Sequence, residues 1–281
     1  MTDDTNMRPV ALTAIQGDEV TRLARQAIAA LAAGGPVRSG GVTSSGFVAR
    51  MSDAFIADDA EARHEVLQSL RQGGVSREDL VDHVIPAVAR RLGERWFADD
   101  ISFADVTIGA ARLQESVHTL ARRAAGPGAP AAGARAILLV IPRGEDHTLG
   151  SFVLADQWRR QGFVVEVAVD RPPEQIGDLL RGGRHCMLGI TASGRRTLAS
   201  ARELVKTVRC MTPRLPPVVV GGPILDEDPD VLALTGADHV ARDAATALQK
   251  CGLVPGGQSS PPDEEPDRAG DAVPVAGGDV S

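Results

Sequence analysis

Between residues 135 and 254, short apolar β-branched runs alternate with stretches of helical pattern, and this rhythm constrains the architecture more than any other feature. The runs are Ala136–Ile141, Val164–Val169, Cys186–Ile190 and Val218–Val220, with a weaker fifth at Asp238–Val240. Helical stretches occupy 149–162, 173–182, 195–211, 229–235 and 242–250. Strands that are apolar along their whole length are buried on both faces, as in parallel sheets. Their alternation with helices implies right-handed βαβ units on one sheet. The expectation is a flavodoxin-like (Rossmann-like) domain with a five-stranded parallel sheet. A ligand of such a domain meets the protein at the carboxyl ends of the strands.

Upstream, residues 47–125 follow a helical period. Asp58 precedes a helix running to about Gln72, where Gly73-Gly74 stops it. Ser76 and Asp79 form an S-x-x-D start signal. Val81, Val84, Ile85, Val88, Leu92 and Trp96 then share one amphipathic face. Pro86 predicts a kink rather than a stop, because the stripe continues across it. Ser102 with Asp105 opens a further helix, on which Phe103, Val106, Ala110, Leu113, Val117 and Leu120 read as the packing seam. With residues 47–57 this makes a four-helix bundle, so the fold class is α + α/β.

The flanks differ in composition. Residues 1–46 read as a flexible extension with one helix between Asp18 and Ala33, followed by a Gly/Ser-rich stretch. Residues 126–134 read as a Pro/Gly/Ala linker. Residues 255–281 read as a disordered acidic tail, with six carboxylates against the single cation Arg268.

At 281 residues the chain has room for two modest domains. The net charge of −7 is concentrated in the tail, leaving the remainder close to neutral. That argues against autonomous, high-affinity DNA binding, which needs a concentrated basic face. Indirect DNA contact through a partner stays open. Arginine pairs such as Arg90-Arg91, Arg122-Arg123 and Arg195-Arg196 read as solvated helix faces. With no Tyr, six Phe and two Trp, a stacking platform for single-stranded nucleic acid is excluded. Cys186, Cys210 and Cys251 show neither C-x-x-C pairing nor metal-ligand spacing, which suits a reducing compartment. No signal-peptide pattern opens the chain and no apolar run reaches membrane-spanning length, so a cytoplasmic protein without membrane association is expected.

The chemistry concentrates in the loop after the first strand, which runs from Pro142 to Gly150. His147 stands there just before a helix. A neutral imidazole in that place can bind a metal through one nitrogen, provided the other N–H has an acceptor that orients the ring. Glu145, two residues earlier, is a suitable acceptor, and Gly150 lets a bulky ligand approach the backbone. Alone, a histidine in a βα loop is more often solvated or helix-capping than a ligand. Thr191-Ala192-Ser193 and Gly221-Gly222, however, end the third and fourth strands on the same sheet edge. The three segments together would line one elongated slot.

These residues resemble the cobalamin-binding domain family, whose signature is D-x-H-x-x-G, then S-x-L, then G-G at similar separations. The resemblance implies that His147 is the lower axial ligand of cobalt, replacing the cofactor's own base, and that Glu145 is its hydrogen-bond partner. It implies that Thr191 and Ser193 contact the displaced nucleotide tail, while Gly221 and Gly222 give it room. Asp146, between Glu145 and His147, joins this cofactor-binding set. Glu145 stands where the family has Asp, and T-A-S where it has S-x-L. Upstream, Gly93 to Phe97 followed by Asp99 to Ser102 resembles the bundle that caps the upper corrin face, with Trp96 over the cofactor. Trp96 also reads as a core residue closing its amphipathic stripe. The Glu-His pair of the cobalamin photoreceptor repressors is replaced by Val106 and Thr107, leaving His118, His83 and His64 as candidate upper ligands.

The chain most resembles the AerR/PpaA group of photosynthesis-gene coregulators of purple bacteria. That resemblance implies a non-enzymatic, light- or redox-responsive regulator that binds hydroxo-, aquo- or adenosylcobalamin. Such a protein works through a DNA-binding repressor partner. Two alternatives are a corrinoid protein carrying methyl groups between methyltransferases, and a haem-binding sensor of the same fold, again on His147.

Overall fold

The computed structural model describes residues 45–125 and 134–253. The expected N-terminal helix, the Gly/Ser stretch up to Ser44, almost all of the linker and the acidic tail lie outside the described residues, while Ser45 and Gly46, expected to belong to that stretch, open a helix.

Four helical segments form the first unit. Helix α1 (Ser45–Ile56) leads to α2 (Ala60–Gln72), whose N-cap is Asp59, accepting from the Ala62 backbone N–H. Gly74, at φ 88°, turns the chain out of α2. Segment α3 is continuous but composite: an α turn Arg77–Asp79 capped by Ser76, a π turn Leu80–Val84, and an α-helix Ile85–Phe97. The irregularity expected at Pro86 therefore falls one turn earlier, as a π turn. Proline then sits in the first turn of a regular segment, where its missing N–H costs no bond. Helix α4 (Phe103–Ala125) begins with a reciprocal cap: Asp105 accepts from the Ser102 backbone N–H and Ser102 Oγ from that of Asp105.

The packing seam of α4 differs from the apolar stripe read from sequence. Leu113, Val117 and Leu120 are buried, but Phe103 and Ala110 are exposed. Gly109 occupies the seam instead: a Cβ there would lie 2.6 Å from Leu92 Cδ1. The Leu92 side chain packs directly onto the bare Cα at that point, so a glycine takes a place in the seam that a count of apolar residues cannot see.

The second unit is the predicted one. Strands β1 (Ala136–Ile141), β2 (Val164–Val169), β3 (His185–Thr191), β4 (Val218–Gly221) and β5 (His239–Ala241) form one parallel sheet in the order β2-β1-β3-β4-β5. Helices α5 (Leu149–Arg160), α6 (Pro173–Arg181) and α7 (Arg195–Met211) connect the first four strands. Two short helices, α8 (Ile224–Glu227) and α9 (Val231–Thr235), follow β4, and α10 (Ala244–Lys250) follows β5.

Helix α5 is covered on two sides. Its Ala155 and Trp158 pack on the sheet, whereas Leu149, Phe152 and Val153 join the core of the helical bundle. A polar seam reinforces this second contact. Arg77 bonds the nearly inaccessible Asp156, and Arg160 and Gln157 both reach Asp82 within the π turn. The bundle is thus fastened to the helix that begins two residues after His147. No helix among the described residues is long and apolar enough to cross a membrane.

Candidate functional site

The loop after β1 turns at Gly144, whose φ of 79° favours glycine, and this sends Glu145 inward. The Glu145 side chain is 1% exposed, yet its carboxylate is well supplied with donors. It accepts at 2.8 Å from the His147 backbone N–H, the Ser193 backbone N–H and Ser193 Oγ. The loops after β1 and β3 are joined through this one carboxylate. His147 Nδ1 lies 3.3 Å from the same carboxylate, while the ring is 78% exposed. A proton on Nδ1 would face this carboxylate and leave Nε2 with its lone pair for a ligand. The longer Glu side chain spans the distance to both neighbours.

Behind His147 a slot of about 340 Å³ runs between α5, the sheet and α10. Its mouth carries Glu145, His147, Thr191 and Ser193, and its depth is lined by Leu139, Trp158, Gly189, Val219 and Ala247. Ser151 Oγ, in the first turn of α5, donates to Thr191 Oγ1 at 3.2 Å.

The predicted site residues divide into groups. Glu145, His147, Gly150, Thr191, Ser193, Gly221 and Gly222 all line this one slot. Ser193, expected to contact a nucleotide tail, has its hydroxyl and its backbone N–H on Glu145. Gly221 and Gly222, expected to make room for a ligand, have an internal reason for lacking a Cβ. At Gly221 it would stand 2.7 Å from the Ala241 carbonyl oxygen, and at Gly222 (φ 115°) it would drive into that of Ala192. Gly150 is the opposite case: a Cβ there would meet nothing within 4 Å, so open space beside His147 is what its absence leaves. Asp146 faces outward and pairs with Arg196. Trp96 is half exposed on the bundle against Phe103, with ring centroids 6.0 Å apart, and does not line the slot.

Helix α4 is registered over this edge by two contacts with α5. The His118 ring packs against Phe152 at 4.4 Å between centroids, and Gln114 accepts from Thr148 Oγ1 at 2.6 Å. The helical period places Thr107 and Phe103 on the same stripe, extending past Thr148. Both are exposed, and Thr107 Oγ1 donates back to the Phe103 carbonyl. Of the candidate upper ligands, the His118 ring packs edge-on against Phe152 with its Nε2 buried and without a hydrogen-bond partner among the described residues, and His64 and His83 lie on the bundle surface.

Trp158 and Gly189 were missed by sequence reading. The one available signal was an isolated glycine within an apolar strand, which marks a close approach. No group of three or more His, Cys, Asp or Glu among the described residues could hold a metal ion.

Comparison with known proteins agrees with this geometry. The B12 binding domain family matches residues 136–251. An uncharacterised 20.5 kDa protein from the bchF-crtJ intergenic region of Rhodobacter capsulatus is 32% identical over 189 residues, covering 67% of this chain and 98% of the relative. Among solved structures, the monomethylamine corrinoid protein of Methanosarcina barkeri shares the fold. Its TM-score is 0.59 at 16% identity, covering 71% of this chain and 94% of that one. A cobalamin-binding protein of Desulfitobacterium hafniense aligns over 73% of this chain and 97% of its own at 21% identity, with a TM-score of 0.38 that is too low to bear on the fold. From the matched domain and the full-length relative together, the chain belongs to the B12-binding domain family.

Proposed function

We propose that this protein is a non-enzymatic, cobalamin-binding transcriptional coregulator in which His147 would be the protein's ligand to cobalt, and that it acts on photosynthesis genes through a DNA-binding repressor. The observation that carries the cobalamin reading is the Ser193–Glu145–His147 chain at the mouth of the slot. It holds the His147 backbone to a buried carboxylate and sets the ring's Nδ1 3.3 Å from it, with the ring largely exposed. The open space at Gly150 and the absence of a protein-only metal cluster among the described residues fit a bulky, macrocyclic ligand. When bound, cobalamin supplies its own light- and redox-sensitive cobalt chemistry. The chain's part is to bind it, hold the proton on Nδ1, and respond through α5, which starts beside His147 and carries the bundle. The regulatory part rests on the full-length relative from the bchF-crtJ region, a photosynthesis-gene region.

Titration of the purified protein with hydroxocobalamin, followed by absorption, tests the first part. The wild type should show a histidine-ligated spectrum that His147→Ala abolishes, and an unchanged spectrum in the variant would refute the assignment. A parallel titration with haemin that gives a Soret band without corrinoid uptake would move the reading to a haem sensor. For the second part, retention of promoter DNA by the repressor should change when cobalamin-loaded protein is added, and His147→Ala should remove that change. Methyl transfer to a methyltransferase, with no effect on DNA retention, would favour the methyl carrier.

A further inference from the structure

A second cavity, of about 870 Å³, lies on the bundle between α2 and α4, away from the slot. Leu67, Val75 and Leu120 give it an apolar floor. Arg63, Arg71, Arg77, Arg112 and Arg123 line it, against two carboxylates, Glu78 and Glu115. Both glutamates already have a cation, Glu78 in Arg77 and Glu115 in Arg122. Arg77 is also held by Asp156, and Arg112 by Asp58.

The remaining arginines have no carboxylate at ion-pair distance among the described residues. The guanidinium groups of Arg71 and Arg123 have no side-chain partner there, and both residues are exposed. Arg63 donates to the Ala57 carbonyl at 2.7 Å, and Arg112 donates to the same oxygen at 2.7 Å. Two cations thus converge on one neutral acceptor. Burial, and then the Arg112 charge beside it, hold the Arg63 pKa below its ordinary value. Such a groove suits an occupant that brings several carboxylates at once.

The chain carries one. Residues 263–267 read Asp-Glu-Glu-Pro-Asp, and Asp271 follows shortly after. Leu253 packs with Trp158 and Phe163 on the sheet side of α5, while Arg77 meets the other side of that helix through Asp156. The ten residues from Leu253 to Asp263 span up to about 35 Å, and a helix with its side chains is about 10 Å across. The acidic run therefore has the length to pass around α5 toward the groove.

We infer that the acidic segment 263–271 of this chain docks in the arginine groove between α2 and α4, where it competes with acidic ligands from outside. Each exposed ion pair contributes little, so occupancy depends on several pairs together and weakens with salt. Tethering supplies the segment at a high effective concentration. The inference does not rest on the cobalamin reading.

Arg268 lies inside the segment and is the one trypsin site beyond Leu253. Release of residues 269–281 from the full chain, followed by mass spectrometry, reports how often the segment is undocked. A synthetic peptide of residues 258–275 gives the rate without a groove. In about 0.05 M salt the full chain should be cut roughly fivefold more slowly than the peptide, and in about 0.5 M salt the two rates should converge. Arg71→Gln combined with Arg123→Gln, which leaves the segment unchanged, should also bring the rates together at low salt. Equal rates for wild type and peptide at low salt overturn the inference. A double variant cut as slowly as wild type overturns the assignment to this groove. A rate that falls as protein concentration rises places the segment on a second copy and overturns docking within one chain. The salt comparison on the wild type decides whether the segment docks by charge even where the double variant does not fold.

Discussion

Each end of the parallel sheet carries a histidine–glutamate pair, and the two are built in opposite senses. At the carboxyl edge the carboxylate of Glu145 is buried and the His147 ring is 78% exposed. At the amino edge the His185 ring is 1% exposed, 3.3 Å from Glu166, whose side chain is 35% exposed and also pairs with Arg184. Burial lowers the pKa of His185, with Glu166 opposing it, and His185 Nδ1 has no partner among the described residues. Both pairs have the same composition, but only one is arranged to receive a ligand. A buried carboxylate that orients an exposed ring offers one free nitrogen to the outside. A buried ring pinned by a surface carboxylate offers nothing and serves the core.

That contrast can be broken or sharpened by substitution. The largest effect is expected from Glu145→Ala, which strips a partner from two backbone N–H groups and one hydroxyl and should cost about 3 kcal/mol of stability. Glu166→Ala should cost about 1 kcal/mol, because water reaches the vacated edge. Urea unfolding of the two variants measures the difference, and equal losses would remove the distinction between the two ends.

The glycines at the carboxyl edge give the next largest effect. Gly222→Ala places a Cβ against the Ala192 carbonyl at a left-handed φ and should destabilise by about 2 kcal/mol. Gly150→Ala meets nothing and should be neutral or slightly stabilising on unfolding, yet it should weaken hydroxocobalamin binding. A stability loss in both would mean that the space at Gly150 is not open.

The smallest effect is one of pH. Because the folded pKa of His185 lies below its ordinary 6.5, the unfolded chain takes up a proton first as pH falls. Stability should be unaffected by this group above about pH 6.5 and should decline from there down through the folded pKa. His185→Gln should flatten that decline in urea midpoints compared between about pH 7.5 and about pH 5.5.

Much of this molecule was legible in the chain. The limits of β1, β2 and α7 coincide with their apolar runs and helical stripe, because burial on both faces or on one face writes a simple period into the sequence. His147 and its partner Glu145 were legible because they are two residues apart in one loop. Asp146 shows the limit of that proximity: it lies between them and points away to Arg196. The bond from Glu145 to Ser193 crosses 48 positions and has no local signature. The seam of α4 was misread at Gly109 for a related reason, since the surface it fits belongs to Leu92 on another helix.

The sequence by itself determined that a parallel sheet follows a helical bundle, and that a histidine, two hydroxyl residues and a glycine pair meet at one sheet edge. Only the tertiary structure decided what each of them does there. It gave Ser193 to Glu145, and it explained Gly221 and Gly222 by neighbouring carbonyls. It left Gly150 open and placed Trp158 at the bottom of the slot. Periodicity is a property of one element against an unspecified partner. The direction a side chain faces, and whether a missing Cβ is space or contact, depends on which partner is there.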